Sequence, residues 1–217
     1  KIAVVKSGLV AYETGKGTPT QTNSMKERRI YHSDFPLDDG WRKYLDGIDV
    51  KRYEMGWSGQ YIKYGKNLAA PRDPTLYQGK RLLIRQIPSK PPYSINGMFI
   101  DQDYINDRNS MIIKANHADY DIFYILGVLN SRLISYWFDK FFGKFQRKIF
   151  PQFKVNELAQ FPIHVNNNPN LTSEISTLVL KMIELKKRKA SIPLEYEQFE
   201  GDVSATICAI DHKVYEL

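Results

Sequence analysis

Short apolar runs separated by glycine, proline and polar residues fill the first half of the chain. Residues 1–12 and 41–64 combine branched and aromatic side chains with frequent turn formers, a texture typical of short strands. Residues 81–87 have the length and branching of an interior strand, and two more strands are predicted at 98–100 and 111–113. The pattern therefore predicts a first half that is rich in sheet.

A different pattern begins near residue 120, where an almost continuous apolar run covers residues 122–137. Its length favours a buried helix over a strand. Asp119 or Asp121 is placed to cap the first exposed amides of this helix, and Gly143 is placed to end it. The run thus predicts one long buried helix.

The last fifty residues follow a helical period. One apolar stripe recurs at steps of three and four residues, at Leu171, Ile175, Leu178, Val179, Met182 and Leu185. Asn170 or Thr172 is expected to cap this helix, and Pro193 to stop it. A further helix carrying Val203, Ile207, Ile210 and Val214 is expected to pack antiparallel to it. The predicted class is α+β: a sheet-rich body over residues 1–168 with a helical hairpin as an appendage over 169–217.

Charge narrows the range of partners. The 217 residues include 31 Lys and Arg against 24 Asp and Glu, a formal charge of +7, which favours polyanions, nucleic acid before a membrane surface. No apolar run reaches the roughly 20 residues needed to span a bilayer. Cys208 is alone, so no intrachain disulfide can form, and a cytoplasmic location is expected. The chain opens without an initiator Met, and we expect it to be part of a longer polypeptide.

Positive charge is densest just after the apolar run. Phenylalanines alternate there with the cations Lys140, Lys144, Arg147, Lys148 and Lys154, and no acid lies between Asp139 and Val155. We expect the aromatic rings to fix the segment while the cations face outward, since phosphate binding needs several cations on one face. Gln146 could pair with a base edge. A solvated basic surface with no ligand is the alternative explanation.

Other chemistry finds little support in the sequence. The four histidines are far apart, and no Gly-x-Ser-x-Gly elbow is present. Neither the Walker pattern nor the Gly-x-Gly-x-x-Gly pattern, both of which bind phosphates, occurs. Ser89-Lys90-Pro91-Pro92-Tyr93 resembles the Asn-Pro-Pro-Tyr motif with which amino-methyltransferases grip a flipped base. Lys90 stands where that motif needs an acceptor, and an ammonium group only donates. We therefore interpret this segment as a rigid loop, with Lys90 and Tyr93 as candidate DNA contacts, and expect no catalysis or metal site within the chain.

Several ordered landmarks resemble one known family. They include the segment Gly15-Lys16-Gly17-Thr18-Pro19-Thr20-Gln21-Thr22, the strand from Arg81 to Gln86, Ile125-Leu126-Gly127-Val128-Leu129-Asn130-Ser131, Phe150-Pro151-Gln152-Phe153-Lys154-Val155, and the closing Ile210-Asp211-His212-Lys213-Val214-Tyr215-Glu216-Leu217. Taken in this order, they resemble the TaqI-like C-terminal specificity domain of DNA methyltransferases and of fused restriction-modification enzymes. The resemblance runs nearly end to end.

The resemblance implies a target recognition domain for double-stranded DNA that works beside a methyltransferase domain of the same polypeptide. It places S-adenosylmethionine, and Mg if a nuclease is fused, in the parent protein and no cofactor in this chain. Lys16, Arg85, Lys90 and Tyr93 join the basic segment as candidate DNA contacts. A different class of function stays open: a protein-interaction scaffold would offer the stripe between Ile175 and Leu185 to a partner and bind nucleic acid without specificity.

Overall fold

Ten strands and six helices lie within residues 2–116, 120–143, 151–165, 168–191 and 196–217, which the computed structural model describes. The strands are β1 (Ala3–Ser7), β2 (His32–Ser33), β3 (Trp41–Leu45), β4 (Val50–Lys51), β5 (Glu54–Met55), β6 (Tyr61–Lys63), β7 (Arg81–Arg85), β8 (Gly97–Ile100), β9 (Ile105–Asn106) and β10 (Ser110–Ala115). The helices are α1 (Asn23–Glu27), α2 (Ile122–Leu129), α3 (Arg132–Phe142), α4 (Val155–Leu158), α5 (Pro169–Ser191) and α6 (Tyr196–Tyr215). Single 3-10 turns cover Gly47–Asp49 and Pro74–Tyr77.

A four-stranded antiparallel sheet in the order β1-β10-β7-β8 forms the centre of the molecule. Successive side chains of β7 point to opposite faces, as the pleat requires. The buried residues form two hydrophobic cores, one on each face of this sheet. Leu82 and Ile84 pack into the core on the side of the helices, whereas Leu83 packs into the core on the opposite face. Both faces are buried because β7 is an interior strand, which explains its unbroken apolar run.

The second sheet covers the face that carries Leu83. Its order is β2-β6-β3-β9, and β3 and β9 run parallel. Tyr44, Leu45, Ile62 and Ile105 fill the space between the two sheets and are almost entirely buried. The short strands predicted between residues 41 and 64 are thus confirmed, as a covering layer and the small β4–β5 ribbon.

The apolar run after residue 120 forms two helices, where one long helix was predicted. Asp121 caps α2 by accepting from the N–H of Phe123 at 2.8 Å. The break comes at Asn130, whose side-chain amide forms two hydrogen bonds with the backbone of Gly97, and at Ser131, whose hydroxyl caps α3. These two polar side chains end one helix and start the next, and Gly143 ends α3 in a left-handed conformation, as predicted.

The helical hairpin formed by α5 and α6 packs on α2, on the helical side of the central sheet. Its helices run antiparallel, since Glu174 near the start of α5 bridges Lys213 near the end of α6 at 2.9 Å. Asn168 accepts from the first amides of α5, where Asn170 or Thr172 was predicted to be the cap. The predicted helix end at Pro193 lies outside the described residues.

The apolar stripe of α5 is buried except for Leu178, which is half-buried. Ile175, Val179 and Met182 have no exposed surface and share one core with α2, α6 and the central sheet. The hairpin is therefore part of the body, and its separation at residue 168 as an appendage stays a prediction that the packing does not favour. A partner protein could not reach this stripe without unfolding the chain, which removes the basis of the scaffold alternative. The predicted α+β class is confirmed.

Candidate functional site

Three segments distant in sequence meet at the end of β7. The N–H of Gln86 donates to the carbonyl of Asn109 at 2.7 Å, and the carbonyl of Gln86 accepts from the N–H of Phe153 at 3.1 Å. Arg85, half-buried, precedes this point, and the exposed Lys154 follows it. We call these five residues the β7 junction. It brings two of the predicted contacts, Arg85 and Lys154, to one end of the central sheet.

Buried aromatic rings pack against the β7 junction on its interior side. Phe153 is fully buried, and its ring centroid lies 5.1 Å from that of Phe138 and 5.7 Å from that of Phe161. Phe138 belongs to α3, which is thereby held against the junction. The predicted division, in which rings face inward and cations outward, fits Phe138 and Phe153 with Lys140 and Lys154. Phe141, 61% exposed, departs from it.

The outward face of α3 continues the surface. Arg132, Tyr136 and Lys140 are spaced four residues apart, so they form one row along the helix, and all three are exposed. The ammonium group of Lys140 lies 5.6 Å from the ring centroid of Tyr136. Ile134 and Phe138 occupy the buried side. Lys140 thus lies on the solvent side of a helix fixed against the β7 junction.

The loop that follows β7 carries two more predicted residues. It is closed by a bond from the N–H of Ser89 to the carbonyl of Ser94, and the N–H of Ser94 donates to the hydroxyl of Ser135 on α3. Lys90 at its tip is exposed. Tyr93 instead donates its hydroxyl to the Asp211 carboxylate at 2.7 Å, so its polar atom is used inside the protein. Lys90 is therefore accessible to a ligand, whereas the hydroxyl of Tyr93 makes a contact within the protein.

Beside Asn109 lies a polar pocket of about 280 Å³ that the sequence did not reveal. Its cations are Lys26, Arg29 and Arg108. Asp46 follows β3 and Asp107 follows β9, so the parallel pairing of those strands puts two acids side by side. Burial, and after it the charge of Asp46, raises the pKa of Asp107 to about 8. The signal available in the sequence was weak: Asp46 directly follows the apolar pair Tyr44-Leu45, whereas Asn106 separates Asp107 from Tyr104-Ile105.

The wall of the same pocket carries a neutral histidine. The hydroxyl of Tyr12 lies 2.9 Å from Nδ1 of His32. Burial, reinforced by the nearby Arg29 charge, lowers the pKa of His32 from 6.5 to about 4. The pocket therefore combines an imidazole that is neutral at pH 7, cationic side chains, and an Asp107 carboxyl whose surroundings favour its protonated form.

The remaining predicted contacts divide into two groups. Lys16 lies in the turn that follows Gly15, where backbone bonds join it to Glu13 and Gln21. None of these partners belongs to the β7 junction. Lys144, Gln146, Arg147 and Lys148 lie outside the described residues. They precede Pro151 in the sequence.

Two further features bear on the kind of site. No three His, Cys, Asp or Glu side chains of the described ranges converge to hold a metal ion. Among the helices described here, none combines the length and the apolar character needed to cross a membrane.

Fold and site define a class: an α+β domain in which loops and one helix bring basic side chains to one end of a central sheet. The model of the TaqI-like C-terminal specificity domain matches residues 42–163, more than half of the chain. The chain belongs to this family of specificity domains, as its landmark residues had indicated. No curated protein matches the sequence.

A solved structure extends the likeness beyond the family match. It is that of the Type IIL restriction-modification enzyme MmeI in complex with DNA, which aligns with a TM-score of 0.52 and 11% sequence identity. The alignment covers 99% of this chain and 32% of the MmeI chain. At this identity the likeness concerns the fold, and it includes the helical hairpin. The chain spans about a third of the length of that enzyme.

Proposed function

We propose that this chain is the module of a restriction-modification enzyme that recognises a specific sequence in double-stranded DNA. The observation that carries the proposal is the β7 junction, where Arg85 and Lys154 come together beside a closed loop that presents Lys90. Membership of the specificity-domain family supports it. So does the fold shared with an enzyme whose structure was solved with DNA.

Electrostatics supports a duplex as the ligand. Each phosphate that a lysine or arginine neutralises releases condensed counterions, so the affinity grows with the number of cations on one surface. Lys140, Lys154 and Lys90 are all exposed on segments fixed to the end of β7 or to α3. Lys144, Arg147 and Lys148 precede Phe153 and Lys154 in the sequence. We assign these cations mainly to the phosphate backbone, and Arg85 and Gln146 to base edges.

The chemistry of the parent enzyme is assigned to other parts of the polypeptide. A methyltransferase domain using S-adenosylmethionine would modify an adenine of the recognised site, and a fused nuclease would require Mg. Extruding a base from the stack costs a few kcal/mol, so the duplex must be held while the base is out. Holding and reading the duplex is the task we assign to this chain.

The experiment compares two variants that each lose two positive charges. Lys140→Ala with Lys154→Ala removes cations near the β7 junction, and Lys181→Ala with Lys187→Ala removes two exposed cations from α5. Affinity for duplex DNA is measured by fluorescence anisotropy over a range of salt concentrations. We expect the first variant to bind roughly tenfold more weakly and its salt slope to fall by about two, because two phosphate contacts are lost.

The control variant should bind as the wild type does, because its two cations lie on α5, which carries no residue of the β7 junction. Net charge falls equally in the two variants, so a difference in affinity between them reports the position of the cations. Equal losses in the two variants would mean that the protein attracts DNA by net charge alone. An unchanged salt slope in the Lys140 and Lys154 variant would remove this surface from the interface. Selection from random duplexes with the wild-type chain then gives the recognised sequence.

A further inference from the structure

We propose that Asp211 positions the DNA-reading loop, linking the C-terminal hairpin to the loop at residues 89–94 and to the start of α3. This inference rests on the proposed function. It assigns to α6 a part in recognition, although no residue of α6 belongs to the β7 junction.

The Asp211 carboxylate is shared between two segments. One oxygen accepts from the Tyr93 hydroxyl at 2.7 Å, and the other accepts from the backbone N–H of Arg132 at 2.9 Å. Asp211 is only 6% exposed. Hydrogen bonds to a buried carboxylate are stronger than neutral ones, and both of its oxygens are used here. One side chain of α6 thus ties down a loop and a helix that are otherwise far away in sequence.

The charges around this link favour the same arrangement. Arg132 is the first residue of α3, where the helix dipole favours a negative group. The guanidinium of Arg52 lies 3.7 Å from the ring centroid of Tyr93, and that of Arg132 lies 6.0 Å from it. Burial, followed by the bond to Asp211, raises the pKa of Tyr93 to about 12, so its hydroxyl keeps the proton that it donates. The ring is held by cations and the hydroxyl by an anion.

Both segments that Asp211 holds carry candidate contacts. Lys90 lies three residues before Tyr93 in a loop that also bonds to Ser135 of α3, and Lys140 lies on α3 itself. Asp211 is fixed in turn, because its neighbours Ile210 and Val214 are buried in the core that α5 and α2 share. A shift of this carboxylate would therefore move two parts of the binding surface together.

A buried carboxylate could also serve stability alone, so the test must separate the two roles. Tyr93→Phe removes one hydrogen bond and no charge. Asp211→Asn keeps the shape and one acceptor. Tyr124→Phe is the matched control, since the Tyr124 hydroxyl donates to the carbonyl of His164 at 2.8 Å, away from the loop. Each variant is compared with wild type in thermal stability, in salt slope, and in the ratio of affinity for the selected duplex to affinity for random duplex.

We expect Tyr93→Phe and Asp211→Asn each to lower the specificity ratio by roughly fivefold or more, and the double variant to lose about as much as either single variant, because they break the same link. The salt slope should stay unchanged, since no phosphate contact is removed. Tyr124→Phe should keep the wild-type ratio. The positioning role is overturned if the specificity ratio of each variant falls only as far as its thermal stability does, and if Tyr124→Phe shows the same relation.

Amide hydrogen exchange makes this failure distinguishable from failure of the proposed function. Tyr93→Phe should speed exchange at residues 89–94 and in the first turn of α3, whereas Tyr124→Phe should not. If the wild type prefers no duplex, the proposed function fails. Unchanged exchange in Tyr93→Phe refutes the link itself, whatever the binding result. If wild type selects a duplex but exchange and specificity are unaffected by Tyr93→Phe, only the role of Asp211 is lost.

Discussion

Two carboxyl groups of this protein are almost equally buried and differ in their charged neighbours. Asp107 is 7% exposed, accepts from the backbone N–H and the side-chain amide of Asn109, and faces another acid, Asp46. Asp211 is 6% exposed and faces the Tyr93 hydroxyl and the N–H that begins α3. Burial is costly for a charge unless donors compensate for the lost water. Burial and the charge of Asp46 therefore favour the protonated form of Asp107, whereas the donors around Asp211 make it a link between two segments.

This difference follows from topology. Asp107 and Asp46 meet because β3 and β9 are parallel and end at the same level, so any acids after those strands are brought together. Asp211 meets its donors because α6 is antiparallel to α5 and returns to the start of α3. Backbone donors complete both sites, since the N–H of Asn109 donates to Asp107 at 2.9 Å. The two sites differ in what a substitution or a change of pH should do.

Gly8→Ala should have the largest effect on the Asp107 side. A Cβ built at Gly8 would lie 2.1 Å from the carbonyl oxygen of Asp107 and 2.4 Å from that of Asn106. Both are backbone atoms that hold the turn before β10, so neither can rotate away. We expect a loss of about 3 kcal/mol in the free energy of unfolding, measured by urea denaturation.

A matched change at Gly201 provides the control, since a Cβ there meets no atom within 4 Å and the residue lies in α6. Ala should stabilise that helix by roughly 0.5–1 kcal/mol. Equal stability of Gly8→Ala and wild type would show that the turn can move, and that the two acids are not held together by the backbone.

Asp211→Ala should come next in size. The substitution leaves the Tyr93 hydroxyl and the first N–H of α3 without their acceptor in a buried site. We expect a loss of about 2–3 kcal/mol by urea denaturation, and a smaller loss for Asp211→Asn, which keeps an acceptor. A loss below that of Tyr93→Phe would contradict the view that one carboxylate serves both donors.

The sequence predicted the buried strands and helices of this fold better than the points at which one element ends and the next begins. The run of β7 was identified because burial on both faces of a strand leaves an unbroken apolar run. The stripe of α5 was identified because burial of one helix face leaves apolar residues at steps of three and four. The break at Asn130 and Ser131 was missed because one long apolar run dominated the interpretation. A serine after an asparagine inside such a run is a capping signal, and it decided the outcome.

The candidate site was predictable only in part, because its parts meet through tertiary contacts. The pattern indicated Lys140 and Lys154 as outward-facing cations, since the intervening aromatics had to be buried. It could not place Arg85 next to Phe153, since that contact depends on two backbone hydrogen bonds through Gln86. The roles of Asp107 and Asp211 depend on which segments face them. No local sequence pattern carries that information.

The smallest expected effect is a dependence of stability on pH that distinguishes the two carboxyls. The pKa of Asp107 is about 8 in the folded protein, whereas an unfolded aspartate titrates near 3.9. Between these values the folded state holds one more proton, so stability falls as pH rises, by at most about 1.4 kcal/mol per pH unit. His32 acts in the opposite sense: its folded pKa of about 4 lies below 6.5, so the unfolded state holds the extra proton in that range.

The two contributions should nearly cancel between about pH 4 and 6.5, and only the fall caused by Asp107 should remain from there to about pH 8. Asp107→Asn removes the titrating group and keeps an acceptor for the N–H of Asn109, so its stability should stay level over pH 6.5–8. Urea denaturation at half-unit pH steps measures this, with Asp211→Asn as the comparison. A wild-type curve that stays level over pH 6.5–8 would mean that Asp107 is ionised beside Asp46. The cations Arg29 and Arg108 would then have to neutralise that pair.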